Sequence, residues 1–127
     1  AILGAVHAMA HSLGGYLDLP HGICNAILLP HVLAANFDAE PQRYAHAAQA
    51  LGADVHGLDQ AGAREALVDA VNALNRSVGI TKTLKDFGVD EAVLAELAAK
   101  AVADPCMMTN PAALSAEDVA RIYAQAL

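Results

Sequence analysis

Three histidines lie within fifteen residues near the start of the chain. His7 and His11 are four residues apart, so on a helix they share one face. His21 follows ten residues later, beyond a glycine pair and a proline, near the expected start of a second helix. Neutral imidazole binds Zn²⁺, Fe²⁺, Ni²⁺ and Cu²⁺, and it also transfers protons near neutral pH. The spacing therefore predicts a metal site or a proton-transfer site, with ordinary packed histidines as the alternative.

The glycines beside these histidines favour a pocket over a filled core. Gly14 and Gly15 are expected to end the first helix, and to turn the backbone tightly or let a ligand approach it closely. Gly22 leaves the start of the second helix open to an anionic group. The four-residue histidine spacing is similar to that of a zinc protease motif. Ala8 stands where the general base of that motif would be, which argues against hydrolysis.

The other side chains with chemical potential are more consistent with structural roles. His31 is expected to be a hydrogen-bonded core or interface histidine, because buried polar groups usually find partners. Asp18 is expected to be a solvated loop acid, with a role as hydrogen-bond partner of a ligand histidine as the alternative. Two histidines are expected at the surface and two methionines in packing: His46, His56, Met107 and Met108.

Composition limits the possible partners. Among 127 residues, 7 Lys and Arg stand against 14 Asp and Glu, for a net charge of −7. Nucleic acid and anionic membranes are disfavoured as partners, because binding their phosphate groups needs clustered Lys and Arg side chains. Cys24 and Cys106 form no disulfide framework, which indicates a reducing cytoplasm.

The chain is unusually apolar for its size. Hydrophobic residues make up 56% of it, and the mean hydropathy is +0.36. A free-standing domain this small buries only about 60–68% of its unfolded surface. We therefore expect residues 1–127 to be a single partial domain whose apolar faces contact something beyond this chain. The uncharged segment 19–37 is interrupted by two prolines and reads as a buried helix rather than a membrane span.

Almost the whole chain is predicted to be helical, because alanine is abundant and the signals of strands and hairpins are scarce. The first helix is expected to run from the start of the chain to about Leu13. The second covers about 22–35, with Pro30 as a kink or break. A third covers about 41–51, since Pro41 suits a first helical turn.

Three further helices are predicted in the second half of the chain. The longest covers about 60–78 and is amphipathic. Its apolar side contains Leu67, Val71, Leu74 and Val78. Another covers about 90–103, with Asp90 as its N-cap. The last begins at Ser115, with Asp118 in the position that completes a capping box. No Gly-rich phosphate loop follows a strand, so no complete nucleotide-binding unit is predicted.

The stretch VHAMAHSLGGYLDLPHGICNAILLPHV resembles the histidine signature of the iron-containing (group III) alcohol dehydrogenases. That signature reads roughly H-x-x-A-H-x-x-G-x(5)-P-H-G. The segments GITKTLKDFGVDE and DPCMMTNP and the final helix are also similar to that family. The resemblance covers the whole chain and corresponds to about the last third of a family member. The chain matches the signature at His7, Ala10, His11, Gly14, Pro20, His21 and Gly22.

The resemblance implies an all-α fold: the C-terminal part of a helical domain, with an N-terminal α/β nucleotide-binding domain absent from this chain. It also implies one divalent metal, Fe²⁺ or alternatively Zn²⁺, held by an Asp and three His in the interdomain cleft. His7 and His21 correspond to two of these ligands, and the other two belong to an upstream Asp-x3-His motif that this chain lacks. His11 corresponds to a catalytic histidine that contacts the nicotinamide cofactor and substrate. Cys106 corresponds to a position near the substrate pocket, with a buried structural cysteine as the alternative.

The implied activity is hydride transfer between a primary alcohol, or its aldehyde, and NAD or NADP. A related reductase, such as a maleylacetate reductase, and a non-catalytic helical module with buried histidines are the alternatives. We expect the full-length protein to be a cytoplasmic enzyme and a homo-oligomer, a dimer or higher. The isolated 127 residues are expected to be inactive and to hold no iron tightly, because half of the ligands and the dinucleotide domain are missing.

Overall fold

A computed structural model of the chain describes residues 3–127, and the first two residues of the first predicted helix lie outside this range. The described residues form helices and helical turns with no strand, as predicted. Short 3-10 turns lie between the helices, at Phe37–Ala39, Lys85–Phe87, Glu91–Val93 and Pro105–Thr109. The six α-helices are α1 (Ala5–Leu17), α2 (His21–Asn36), α3 (Pro41–Ala50), α4 (Gln60–Ser77), α5 (Leu94–Ala103) and α6 (Ala116–Gln125).

The first helix does not end at the glycine pair. α1 continues through Gly14 and Gly15 to Leu17, and Asp18 then takes the left-handed conformation with φ of 53°. The prediction that the glycines end this helix and make the turn is therefore wrong. Helical glycine costs only about 1 kcal/mol relative to alanine, and Leu13 and Leu17, one turn apart, both pack on the main core. This burial keeps the segment helical.

The second helix has the predicted bounds to within one residue at each end. α2 continues through Pro30 to Asn36, so the predicted break at the proline does not occur. Pro30 is buried in the helix, and its neighbours Leu28 and Val32 belong to the main core. Core packing on both sides of the proline holds the helix together although one backbone hydrogen bond is lost there.

Two apolar clusters hold the helices together. The larger one joins α1, α2, α5 and α6, and it includes Met9, Leu28, Leu97 and Tyr123. The smaller one packs α4 on α3 around Phe37, with side chains such as those of Ala48 and Leu67. The histidine-bearing helices thus belong to the main core, which fixes the backbone that carries the histidines.

The apolar side of α4 is shorter than predicted. Leu67 and Val71 are buried, but Leu74 and Val78 are 51% and 63% exposed. Including them in the core face is therefore wrong. The smaller cluster ends at Val71, and Leu74 lines an open groove beside Leu51.

The predicted helix caps are present. Ser115 and Asp118 form the expected reciprocal capping box of α6. Asp90 accepts a hydrogen bond from the backbone N–H of Ala92, but it caps a 3-10 turn that leads into α5 at Leu94. None of the helices in residues 3–127 combines the length and the apolar character that crossing a membrane requires.

Candidate metal centre

The three N-terminal histidines come together at one point of the surface. His7 and His11 project from successive turns of α1, and His21 is the first residue of α2. The ring centroids of His7 and His21 are 5.3 Å apart, those of His11 and His21 5.2 Å, and those of His7 and His11 6.3 Å. The link of residues 18–20 is short enough to return the chain at once, so the start of α2 lies beside α1.

His7 and His21 have the separation expected of two ligands of one ion. A tetrahedral metal about 2.0–2.1 Å from one nitrogen of each ring places two ring centroids about 5 Å apart. The planes of these two rings are inclined by 52°, so that in-plane lone pairs can converge. His11 and His21 are instead stacked, with only 18° between their planes. The geometry therefore favours His7, rather than His11, as the ligand that shares an ion with His21.

The electrostatics of His7 suit a ligand. Burial lowers the pKa of His7, and the neighbouring imidazoles of His21 and His11 lower it further. A lowered pKa keeps the imidazole neutral at pH 7, which is the form that binds metals.

An apolar groove of about 620 Å³ opens beside His7. Gly22, Ala26 and Leu29 of α2 line it. So does Asn25, which donates a hydrogen bond to the backbone carbonyl of His21. The buried Oδ1 atom of Asn25 has no hydrogen-bond partner within residues 3–127. Buried polar atoms are rarely left unsatisfied, so this oxygen is an exception within the described residues.

His11 has a carboxylate partner that sequence reasoning missed. Its Nδ1 lies 2.9 Å from Oδ2 of Asp104, which follows α5. Because an ionised carboxylate only accepts, Nδ1–H of His11 must donate, and in the neutral ring Nε2 is then an acceptor. Oδ1 of Asp104 accepts the backbone N–H of Cys106 at 2.8 Å. This bond, and the bond to His11 after it, lower the pKa of Asp104.

Cys106 lies next to this pair. His11, Asp104 and Cys106 each offer one potential ligand atom, and these atoms lie within 4.8 Å of one another. Burial and the carboxylate of Asp104 raise the pKa of Cys106, so its side chain is a protonated thiol at neutral pH. The thiol therefore belongs to the surroundings of His11 without being an activated nucleophile.

The two glycine positions and Gly22 leave free space near the histidines. A Cβ atom built on Gly14, Gly15 or Gly22 would meet no atom within 4 Å among the described residues. Gly14 and Gly15 thus do not make the turn, but without side chains they and Gly22 leave open space on the helices that carry the histidines.

The remaining candidates lie apart from the imidazoles or do not contact them. Asp18 is an exposed acid, as expected, and no hydrogen bond joins it to a histidine in residues 3–127. His31 is partly buried on another face of α2, where burial lowers its pKa. Met107 packs against the core as predicted, but Met108 is 86% exposed, so the prediction that it packs is wrong. Two histidines are exposed, as predicted: His46 and His56.

Comparison with known proteins agrees with this fold. The sequence model described as the Fe-containing alcohol dehydrogenase family, C-terminal, matches residues 1–127. Lactaldehyde reductase of Escherichia coli K12 is 45% identical over 121 residues, covering 95% of this chain and 32% of that protein. The 1,3-propanediol dehydrogenase of Klebsiella pneumoniae is 41% identical over 126 residues, covering 99% of this chain and 33% of that protein.

Solved structures give the same result. A 1,3-propanediol oxidoreductase superposes with a TM-score of 0.94 at 40% identity, over 98% of this chain and 33% of the other. An alcohol dehydrogenase from Oenococcus oeni superposes with a TM-score of 0.93 at 38% identity, over 98% of this chain and 33% of the other. The chain spans about a third of the length of the curated relatives that it matches.

Proposed function

This chain belongs to the Fe-containing alcohol dehydrogenase family, and we propose that it is the metal-binding helical part of an NAD- or NADP-dependent oxidoreductase. The proposed reaction interconverts a small primary alcohol and its aldehyde. The relatives' names, lactaldehyde reductase and 1,3-propanediol dehydrogenase, support small hydroxylated substrates of this class. We propose further that residues 1–127 form one partial domain and that a dinucleotide-binding domain of the whole protein completes the site.

The observation that carries this proposal is the convergence of His7 and His21. Their 5.3 Å centroid separation suits two ligands of Fe²⁺, or alternatively Zn²⁺. The lowered pKa of His7 keeps that imidazole in the neutral form that binds metals. When bound, such an ion polarises the oxygen of the alcohol or aldehyde. The resemblance implies a four-ligand set of one Asp and three His, of which these two histidines are half, and we propose that the other two ligands lie outside residues 1–127. The isolated chain should accordingly be inactive.

The chain's own residues prepare the pocket around that ion. His11 is held by Asp104 with Nε2 free to accept a hydrogen bond, so we propose that it accepts the proton of the hydroxyl group or orients the cofactor. The groove beside His7 is lined mainly by apolar side chains, which exclude water and position the carbon chain of the substrate. Cytoplasmic location and assembly as a homo-oligomer, a dimer or higher, stay predictions.

Metal analysis of the whole protein tests the proposal. Each of the variants His7→Ala and His21→Ala should lower both the amount of bound iron or zinc and the rate of aldehyde reduction. His46→Ala is the matched control, because His46 is exposed on α3, away from the imidazole cluster. Full metal content and wild-type turnover in His7→Ala would exclude the site. Absence of bound metal and of aldehyde reduction in the wild-type protein itself would favour a non-catalytic module. A substrate panel that includes maleylacetate separates alcohol dehydrogenase from the alternative reductase.

A further inference from the structure

A second cavity, of about 330 Å³, lies on the side of α2 away from the groove beside His7. His31 lines this cavity and Gly22 lines the groove. They are nine residues apart, which at 3.6 residues per turn places them on about opposite sides of the helix. The cavity is bounded by α2, α4, the segment after α4 and the end of α6. It is therefore separate from the candidate metal centre.

The lining of this cavity contains cations and amides but no acid. Within residues 3–127 no Asp or Glu lines it, although acids outnumber bases two to one in the chain. Its principal hydrogen-bonding side chains are Arg76, Lys82, His31, Asn72, Gln125 and Thr81. Its volume lies within the range of sites for small molecules, about 300–1,000 Å³.

The cations around the cavity are the ones that the fold leaves uncompensated. Arg76, Lys82 and Lys85 have no carboxylate within 4.0 Å in residues 3–127, and two of these three line the cavity. The other four of the 7 bases form ion pairs with nearby carboxylates: Arg43, Arg64, Lys100 and Arg121. Both cations are exposed side chains on one cavity whose lining, within residues 3–127, holds no acid, so an anion bound there would be attracted to both.

The neighbours of these cations hold them in place or add donors. The Nζ atom of Lys82 lies 5.5 Å from the ring centroid of Phe87, a cation–π contact that restrains the ammonium; Phe87 itself lines an adjoining pocket that shares Lys82 with this cavity. The guanidinium of Arg76 offers a planar fork of N–H groups that matches carboxylate and phosphate oxygens. Asn72 adds an amide donor, and His31, whose pKa burial lowers, adds a neutral ring N–H.

We propose that this cavity binds a small oxyanion, a phosphate or carboxylate group, between the guanidinium of Arg76 and the ammonium of Lys82. The bound group connects four parts of the fold: α4, the segment after α4, α2 and the end of α6. Its oxygen atoms accept hydrogen bonds from the two cations and from the amide of Asn72. The site is independent of the histidine cluster and of the reaction proposed there.

Titration of the whole protein with inorganic phosphate, at ionic strength held constant with sodium chloride, tests this site. Isothermal calorimetry should show saturable binding. Arg76→Gln and Lys82→Gln should each weaken the affinity about tenfold or more, because each removes a charge-assisted hydrogen bond. Lys85→Gln is the matched control: Lys85 also lacks an ion-pair partner in residues 3–127 but does not line the cavity. The affinity of Lys85→Gln for phosphate should equal that of the wild type.

The outcomes separate this site from charge screening and from phosphate bound elsewhere. Absence of saturable binding, an equal loss in Lys85→Gln, or undiminished binding in both Arg76→Gln and Lys82→Gln overturns the proposal. Circular dichroism confirms that each variant is folded, and the two cavity variants lie on different segments, so misfolding of one leaves the other informative. Parallel titration with malonate distinguishes the natural ligand: tighter phosphate binding assigns a phosphoryl group, and tighter malonate binding a carboxylate.

Discussion

Replacing Asp104 with asparagine tests whether its bond to His11 serves turnover or only the fold. Oδ1 of Asp104 accepts the backbone N–H of Cys106, and asparagine reproduces such a cap about as well as aspartate. Oδ2 accepts Nδ1–H of His11 at 2.9 Å. An amide nitrogen in place of Oδ2 would donate to Nδ1 and so reverse which ring nitrogen carries the proton. Asp104→Asn thus keeps the cap on the backbone of Cys106 and moves the proton of the neutral His11 ring from Nδ1 to Nε2.

The size of the effect follows from the loss of the charged acceptor, which the reversed bond to a neutral amide does not replace. A hydrogen bond to a charged group contributes about 1.5–3 kcal/mol. The side chains of His11 and Asp104 are 44% and 18% exposed, so solvent weakens the bond and the lower end, about 1.5 kcal/mol, applies. At about 1.36 kcal/mol per tenfold change in rate, kcat for aldehyde reduction by the whole protein should fall about tenfold. The assay is steady-state turnover at saturating substrate and cofactor.

Asp90→Asn is the matched control for this substitution. Asp90 accepts the backbone N–H of Ala92 at 2.9 Å, the same two-residue cap as at Asp104. Asp90→Asn should leave kcat unchanged, and Asp104→Asn should have no further effect in a His11→Gln background. Wild-type kcat in Asp104→Asn alongside a loss in His11→Gln would refute this role of Asp104, and so would an equal loss in Asp90→Asn.

Three further predictions concern the stability of the fold. Asn110→Ala removes the reciprocal amide pair with Asn36 and should lower the free energy of unfolding by about 1–3 kcal/mol; an unchanged urea midpoint would contradict it. Tyr123→Phe removes the hydroxyl that donates to the buried carbonyl of Met9 at 2.8 Å, and should cost about 0.5–1.5 kcal/mol in the same assay. Hydrogen bonds at the start of α6 lower the pKa of Asp118 below its ordinary value of 3.8. Its stabilisation is therefore complete well above pH 3.8 and lost as pH falls through the lowered folded-state pKa, so acid should abolish the stability difference between wild type and Asp118→Asn.

Helix identity and caps were predictable because their signals are local. Ser115 and Asp118 lie three residues apart and form the predicted capping box. Helix ends and burial were less predictable, because they depend on tertiary contacts. Gly14 is a common helix terminator, yet α1 continues past it, since the next turn still packs on the core. Leu74 has the spacing of a core residue but lies beyond the contact with α3.

The candidate site was predictable only in part for the same reason. The histidine signature lies in one short stretch, so its spacing could be read directly. Asp104 is 93 residues from His11 in sequence. An aspartate before Pro105 is typical of a cap, and in the structure Asp104 accepts the backbone N–H of Cys106. Nothing in that local pattern indicates that the second carboxylate oxygen contacts a histidine.

The short link between α1 and α2 makes the candidate site sensitive to chain length. Only residues 18–20 separate the two helices, and Asp18 already turns the backbone through the left-handed region. One inserted residue there would change the start of α2 and carry His21 around its axis by about 100°, the rotation per residue of an α-helix. Loops usually tolerate insertions and deletions. This link acts as a spacer of fixed length, and we expect natural variants of this protein to change its residues but not their number.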